Sequence, residues 1–243
     1  YPTNESIDLD VLEERIAFKP GILYRDSLRT TTLNRIGQLN YFSYPSINYN
    51  VQDDSIVNIN LYLRSRKRYS LTADFDLTHS AIQQIGTSLR SSVLARNVFG
   101  SFENLSLSLS GTIGNSIIPG ANITSELGID LNLSFPRWWY GFSLDRLIAM
   151  EKNPISTLQI GTVFQQNLGL DRQTINAIYR FSFTDKSSQH TAEFPKISYV
   201  NNLNPDNFFS IYRNTFETLD ELSTPLKSDS RYADLFESTG IDG

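Results

Sequence analysis

The stretch on which the fold turns is Tyr69-Ser70-Leu71-Thr72-Ala73-Asp74-Phe75-Asp76-Leu77-Thr78. Its odd-numbered residues are apolar and its even-numbered residues are Ser, Thr or Asp. Successive side chains of a β-strand point to opposite faces, so a period of two gives one apolar face and one hydrophilic face. The same division recurs downstream. Leu105, Leu107 and Leu109 alternate with Ser106, Ser108 and Ser110, and Ile129, Leu131, Leu133 and Phe135 alternate with Asp130, Asn132 and Ser134. Leu158, Ile160, Thr162 and Phe164 form a further face, as do Ile175, Ala177, Tyr179, Phe181 and Phe183 opposite Asn176, Arg180 and Ser182. The pattern predicts about seven strands between residues 69 and 203.

Two architectures satisfy that alternation. One is a water-soluble antiparallel sheet with one wet face, which periodicity alone supports equally well. The other is a membrane β-barrel with its apolar faces in lipid and its Ser, Asn and Asp faces in a wet interior. Run length favours the barrel, because the runs are roughly 9 to 11 residues long, the span of a tilted membrane strand, against about 5 or 6 in soluble sheets. The aromatic cluster Phe135, Trp138, Trp139, Tyr140 suits a girdle at a lipid–water interface; in a soluble protein it would be a covered plug.

Working back toward the N-terminus, the period changes near residue 65. Ser6 and Asp8 offer cap chemistry ahead of Leu9, Leu12 and Ile16, predicting a short helix over 8–17 that Pro20-Gly21 stops. From Tyr24, Leu28, Thr32, Ile36 and Leu39 recur at three- and four-residue steps, the stripe of a second helix ending near Asn40. Strands follow over 43–50 and 56–63, joined by a turn at Asp53-Asp54-Ser55.

Composition narrows the chemistry. The 243 residues are 40% hydrophobic and 19% charged, the balance of an ordered, core-forming chain. No run approaches about 18 apolar residues, so no membrane-spanning helix is expected. With no Cys and only His79 and His190, neither a disulfide framework nor a thiolate or imidazole-rich metal site is expected. The net charge of −5 argues against an extended nucleic-acid surface. Neither His has a nucleophile or carboxylate at a catalytic spacing, so no enzyme, cofactor or metal is expected. Asp74 and Asp76 share a strand face, and two acids in a wet lumen account for them. Arg64, Arg66, Lys67 and Arg68 read as a solvated linker, with nucleic acid or lipid headgroups as the sharper alternative. The sequons at Asn4, Asn104, Asn122 and Asn132 are short patterns common by chance.

Several segments together carry a family likeness. Phe18-Lys19-Pro20-Gly21, Tyr24-Arg25, Thr32-Leu33-Asn34-Arg35-Ile36 and Leu39-Asn40-Tyr41-Phe42 resemble the last POTRA domain of the Omp85 superfamily, where a T-x-x-R-L-x-x-L-G-x-F helix runs into a strand. Leu94-Ala95-Arg96-Asn97-Val98-Phe99-Gly100 resembles the R-N-x-F hairpin after the second barrel strand. Leu133-Ser134-Phe135-Pro136-Arg137 and Asn202-Leu203-Asn204-Pro205-Asp206-Asn207-Phe208-Phe209 resemble the BamA/TamA branch in its Bacteroidetes, TamL-like form. The likeness implies an α+β POTRA domain over 1–66, the N-terminal strands of an outer-membrane barrel over 67–202, and an extracellular helical or irregular insertion, or more barrel, over 203–243. The family's POTRA domain begins with a strand that has no counterpart here, its barrel has sixteen strands, and its late Arg-Gly-Phe motif is absent. The expectation is therefore a fragment whose missing strand lies upstream of Tyr1.

By parity, the hairpins near 79–84, 114–125 and 167–173 are expected outside the cell and those near 96–104, 136–156 and 184–189 in the periplasm. A short helix is expected over 144–150 and a helical stripe over 208–222. The resemblance further implies an outer-membrane protein insertase or translocase. The strand of Tyr69, Leu71, Ala73, Phe75 and Leu77 is its candidate lateral gate. The strand of Ile56, Ile59, Leu61 and Leu63 is a candidate POTRA edge for partners. The implied partners are outer-membrane lipid, nascent outer-membrane proteins, and periplasmic or lipoprotein accessory subunits. A passive outer-membrane pore and a soluble β-rich binding module are the competing readings.

Overall fold

The computed structural model describes residues 7–52, 56–79, 83–116, 123–139, 152–166, 171–185, 188–203, 217–218 and 221–223. Ser6, the turn at 53–55, Tyr140, the expected helix over 144–150 and most of the stripe over 208–222 lie outside the described residues. Of that stripe, 217–218 and 221–223 are described and are helical.

Helix α1 (Leu9–Glu13) opens the fold, followed by α2 (Asp26–Gln38) and the antiparallel pair β1 (Phe42–Gln52) and β2 (Ile56–Ser65). Asp8 caps α1 by accepting the Asp10 N–H. The first helix is shorter than the expected 8–17, and the hydrogen bonds show why. A continuing helix would pass the Ala17 N–H to the Glu13 carbonyl. Instead the Ile16 N–H takes that carbonyl, and the Ala17 N–H donates to Thr32 Oγ1 at 3.0 Å. The Thr32 hydroxyl in turn donates to the Leu28 carbonyl within α2, so one side chain of the stripe ties the two helical segments together.

Seven strands then form one antiparallel sheet in sequence order: β3 (Tyr69–Thr78), β4 (Gln83–Arg96), β5 (Asn104–Ser116), β6 (Ile123–Phe135), β7 (Ile155–Gln166), β8 (Arg172–Asp185) and β9 (Ser188–Asn202). The chain is thus predominantly antiparallel β-sheet. Six of the seven strands run to 12 residues or more, longer than the alternating runs implied. The extra length comes from residues such as Gly86, Gly111 and Gly114, whose lack of a side chain hides the alternation.

Register stacks like on like. Phe75 lies opposite Leu89, Leu89 opposite Gly111, Gly111 opposite Leu127 and Leu127 opposite Phe164, one rung of a continuous apolar face. The next rung of the other face is Asp76, Ser88, Thr112, Glu126, Gln165 and Arg172. Leu94, Ile155, Val163, Ile178 and Val200 are apolar breaks on that side. The polar face is the more enclosed, with Thr124, Gly114, Gly128 and Gly161 buried. A Cβ on Gly128 would press against Ser110 Oγ and one on Gly161 against Asp130 Oδ1, whereas at Gly111, on the apolar face, it would meet open space.

The core of the small helical unit is completed by the sheet. Val11, Ile36, Leu39, Tyr41 and Phe42 cluster around Phe102, which comes from the turn between β4 and β5 and is fully buried. Its ring lies 5.4 Å from Tyr41 and 5.6 Å from Phe42. Phe102 takes φ +66°, a left-handed conformation that costs a non-glycine residue about 1–2 kcal/mol. Burying the ring contributes about 2–3 kcal/mol and offsets that cost. We expect Phe102→Ala to lower stability by about 3–5 kcal/mol in urea unfolding, and to expose the 97–103 turn to protease before the sheet unfolds.

Candidate functional site

The features that bear on function lie along the edge strand β3 and at the end of the sheet where the helical unit docks. β3 pairs only with β4, so its outer row of backbone N–H and C=O groups has no partner strand among the described residues. Leu71 and Leu77 are 73% and 75% exposed, while Leu107 and Leu109 on the interior strand β5 are 42% and 48%. Tyr69, Ala73 and Phe75 are exposed on the same side. These five residues thus form a bare ladder along an edge that is unpaired among the described residues.

The opposite edge is built differently. All fifteen residues of β9 are exposed, and Phe194 and Pro195 form a bulge opposite Tyr179. Proline has no N–H to give a further strand, and a bulge breaks the ladder, so β9 offers a poorer template than β3 over its middle.

In the helical unit, Ile59, Leu61 and Leu63 are half-buried on one face of β2, and Leu61 and Leu63 pack against the core. Ile56 points to the other face and is exposed. Ile59 and Leu61 also line an apolar groove of about 520 Å³ roofed by the loop that follows α1, with Ile16, Phe18, Tyr24 and Ile47 on its other walls. A second groove, about 720 Å³, crosses the far end of the sheet over Phe75, Leu89, Ile113, Leu127 and Phe164.

Of the aromatic cluster, Phe135 is buried beneath Trp139, their rings stacked at 4.7 Å. Trp138 lies 4.0 Å from Phe181, and Trp139 is 43% exposed. The cluster is therefore part plug and part surface, extended by Phe183 and by His190 stacked on it at 4.8 Å. Asp74 and Asp76 sit on the polar face, and among the described residues no three His, Asp or Glu side chains converge on one point.

The docking is made by polar groups that the alternation does not reveal. Arg15 is 1% exposed, and its guanidinium donates to Asn153 Oδ1 and to the Pro136 carbonyl, both in the connection between β6 and β7. Burial pushes its pKa down to about 10, so it still carries its charge at neutral pH, held by neutral oxygens. Asp8 joins α1 to the β4–β5 turn: its N–H donates to the Gly100 carbonyl at 2.9 Å, and its carboxylate accepts from Ser101 Oγ at 2.9 Å. Glu103, also buried, accepts from the Ser101 N–H and pairs with Arg137 at 3.3 Å. The R-N-x-F hairpin has a physical basis here. Arg96 donates to the carbonyls of Lys67 and Arg68, and Asn97, at φ +54°, accepts the Phe102 N–H. Its Phe99 is exposed; Phe102 fills the core instead. Sequence patterning held two signals for this joint. Val11 and Arg15 are four residues apart on one helical face, and Phe102 is an aromatic in a turn of small and polar residues.

Compared with known proteins, the sequence matches no family model and no curated protein.

Two outcomes test the joint. Arg15→Ala leaves Asn153 and the Pro136 carbonyl without their charged donor and should cost about 2–3 kcal/mol in urea unfolding, while Glu14→Ala, next along the chain and exposed, should cost under about 0.5 kcal/mol. The hydrogen bond from Ser101 holds the Asp8 carboxyl below its ordinary value of 3.8. A lowered acid pKa contributes stability above the ordinary value and loses it as pH falls through the lowered one. Protection of the Asp8 amide, measured as its exchange rate relative to the intrinsic rate at each pH, should therefore fall as pH drops through the lowered value, and Ser101→Ala should remove most of that acid dependence.

Proposed function

We propose that the chain is a periplasmic docking unit and the first seven strands of an outer-membrane β-barrel that inserts or translocates other outer-membrane proteins. The observation that carries this reading is the bare apolar face. Tyr69, Leu71, Phe75, Leu77, Ile85, Leu89, Leu107, Leu109, Ile113, Leu127, Ile129, Leu131, Ile160, Ile175, Ile197 and Tyr199 all lie exposed on it. The largest apolar patch of an ordinary soluble monomer is about 300–600 Å² and localised, whereas this face crosses seven strands. Lipid is the solvent in which such a face is at rest. Strands of 10 to 15 residues are long enough to span the bilayer with tilt.

Two further features favour an assembly factor over a passive pore. β3, an edge strand among the described residues and the first barrel strand in this reading, can accept a substrate strand by β-augmentation, main-chain groups supplying affinity and alternate side chains specificity. A pore needs no docked helical unit, whereas here that unit, read as the last POTRA domain, is braced against the sheet. In this reading the helical unit, the 97–103 turn and the 136–154 connection face the periplasm. Tyr69, Leu71, Ala73, Phe75 and Leu77 form the gate strand, and the groove at Ile59 and Leu61 receives nascent chains or accessory subunits. Phe135, Trp138 and Trp139 mark the interface, and no chemical reaction or cofactor is assigned.

The test is face-specific. Urea-unfolded chain diluted into phosphatidylcholine vesicles should float with the lipid. Leu107→Lys with Leu109→Lys should abolish flotation, since a lysine on the lipid face costs about 2–4 kcal/mol at the midplane. Ser106→Lys with Ser108→Lys, on the other face, should leave it intact. Equal effects of the two pairs, or a chain that stays dissolved without lipid or detergent, would overturn the membrane reading. The chain has no Cys, so a thiol placed at Thr72 is the sole one. Its cross-linking to an extended substrate strand, lost when the strand's alternation is scrambled, separates an assembly factor from a pore.

A further inference from the structure

From the end of β2 to the start of β3 runs Arg64-Ser65-Arg66-Lys67-Arg68, four cations in five residues immediately before Tyr69. A solvated linker would leave its backbone and side chains loose, and this one is held at almost every residue. The Arg66 N–H donates to the Tyr41 carbonyl, and its guanidinium donates to the Phe42 carbonyl and to Asn40 Oδ1. The carbonyls of Lys67 and Arg68 both accept from Arg96, itself buried. The Arg68 guanidinium lies 5.8 Å over the Tyr69 ring, the first ring of the apolar ladder, and its Nε is shielded with no acceptor. Arg64 and Lys67 are exposed. Among the described residues none of these five cations, Arg96 included, pairs with a carboxylate. Like charges gathered in so short a stretch repel, and an anion from outside the described chain would relieve that repulsion.

The position says which anion. The cations stand at the end of β3 from which Tyr69, Leu71, Phe75 and Leu77 lead away as an exposed apolar wall on a free edge. A ligand matching both parts has a negative headgroup and a long apolar tail. We propose that the Arg64–Arg68 link and the adjoining end of β3 form a binding site for an anionic phospholipid, its phosphate between Arg64, Lys67 and Arg68 and an acyl chain along Tyr69 and Leu71. Such a lipid lies against the unpaired edge and covers it while no strand is added. This site rests on the membrane reading above.

The experiment measures lipid retained by the full chain after detergent exchange, by native mass spectrometry, from micelles doped with phosphatidylglycerol or with phosphatidylcholine. Phosphatidylglycerol should be retained at least 10-fold over phosphatidylcholine. Arg64→Gln with Lys67→Gln changes the two exposed cations that bond to nothing else. Each basic side chain near an anionic surface contributes about fivefold, so the pair should lower phosphatidylglycerol retention about 20- to 30-fold without changing phosphatidylcholine. Arg64→Lys with Lys67→Arg should retain it. Equal retention of the two lipids overturns the headgroup site and leaves the membrane reading standing; retention of neither overturns both. Competition by glycerol phosphate as effective as by the whole lipid also overturns it, since the site would then be for a free phosphate with no role for β3. An undiminished preference in the glutamine pair would falsify the assignment to these residues.

Discussion

The constraint on which the rest depends is that one face of a seven-stranded sheet is apolar and that, beyond the end where Trp138 and Trp139 lie over Phe135, Tyr179 and Phe181, no described part of the chain covers it. In water, that face would have to be buried against another layer, as the sheets of soluble domains are. Among the described residues, the one element that folds back on the sheet is the helical unit, and it docks on the turns at one end. Away from that end, no described residue covers the face between β3 and β9. Long strands, enclosed Ser, Thr and Gly positions on the polar side, and aromatic residues near one end are all consistent with a wall between two different solvents.

Docking at the end of the sheet follows from what a small helical unit can bury by itself. Two helices and one strand pair assemble only a handful of core residues, and the centre of that core is supplied from outside, by Phe102. The residue accepts a left-handed backbone to reach it, which marks the turn as shaped by the docking rather than by its own preference. Arg15, Asp8 and Glu103 surround this joint with buried or partly buried polar contacts, each specifying a distance or an angle that a greasy contact alone would leave loose. Breaking such contacts is costly because the remaining partner is left unsatisfied. The helical unit and the sheet therefore meet in one defined arrangement, and the cationic link between them is held taut by the same joint.

The two edges of the sheet are unequal, and that asymmetry bears on function. β9 carries a proline and a bulge near its middle, both of which discourage a further strand there. β3 has neither: its register with β4 is unbroken from Tyr69 to Thr78. The proposed exchange of a lipid for a strand is assigned to β3 because that edge is regular, apolar on one side and flanked by cations.

What the sequence by itself determined is everything governed by a period of two. The seven strands, their antiparallel order and the division of residues between faces were legible because strand geometry forces alternate side chains apart, whatever surrounds them. The bounds of β3 were readable to the residue, since nothing interrupts its alternation. Where glycine stood in for a side chain, as at Gly111 and Gly114, the runs read short. The first helix read long, because the hydrogen bond that ends it comes from Thr32, sixteen positions beyond Ile16 and visible only when the two segments meet. Which partners meet at the joint of Arg15, Phe102, Glu103 and Asn153 was decided by the tertiary structure. Its partners lie up to 138 residues apart and belong to turns, where no periodicity exists to announce which side chain will be buried. Local pattern encodes which way a side chain points; only the folded chain settles what it points at.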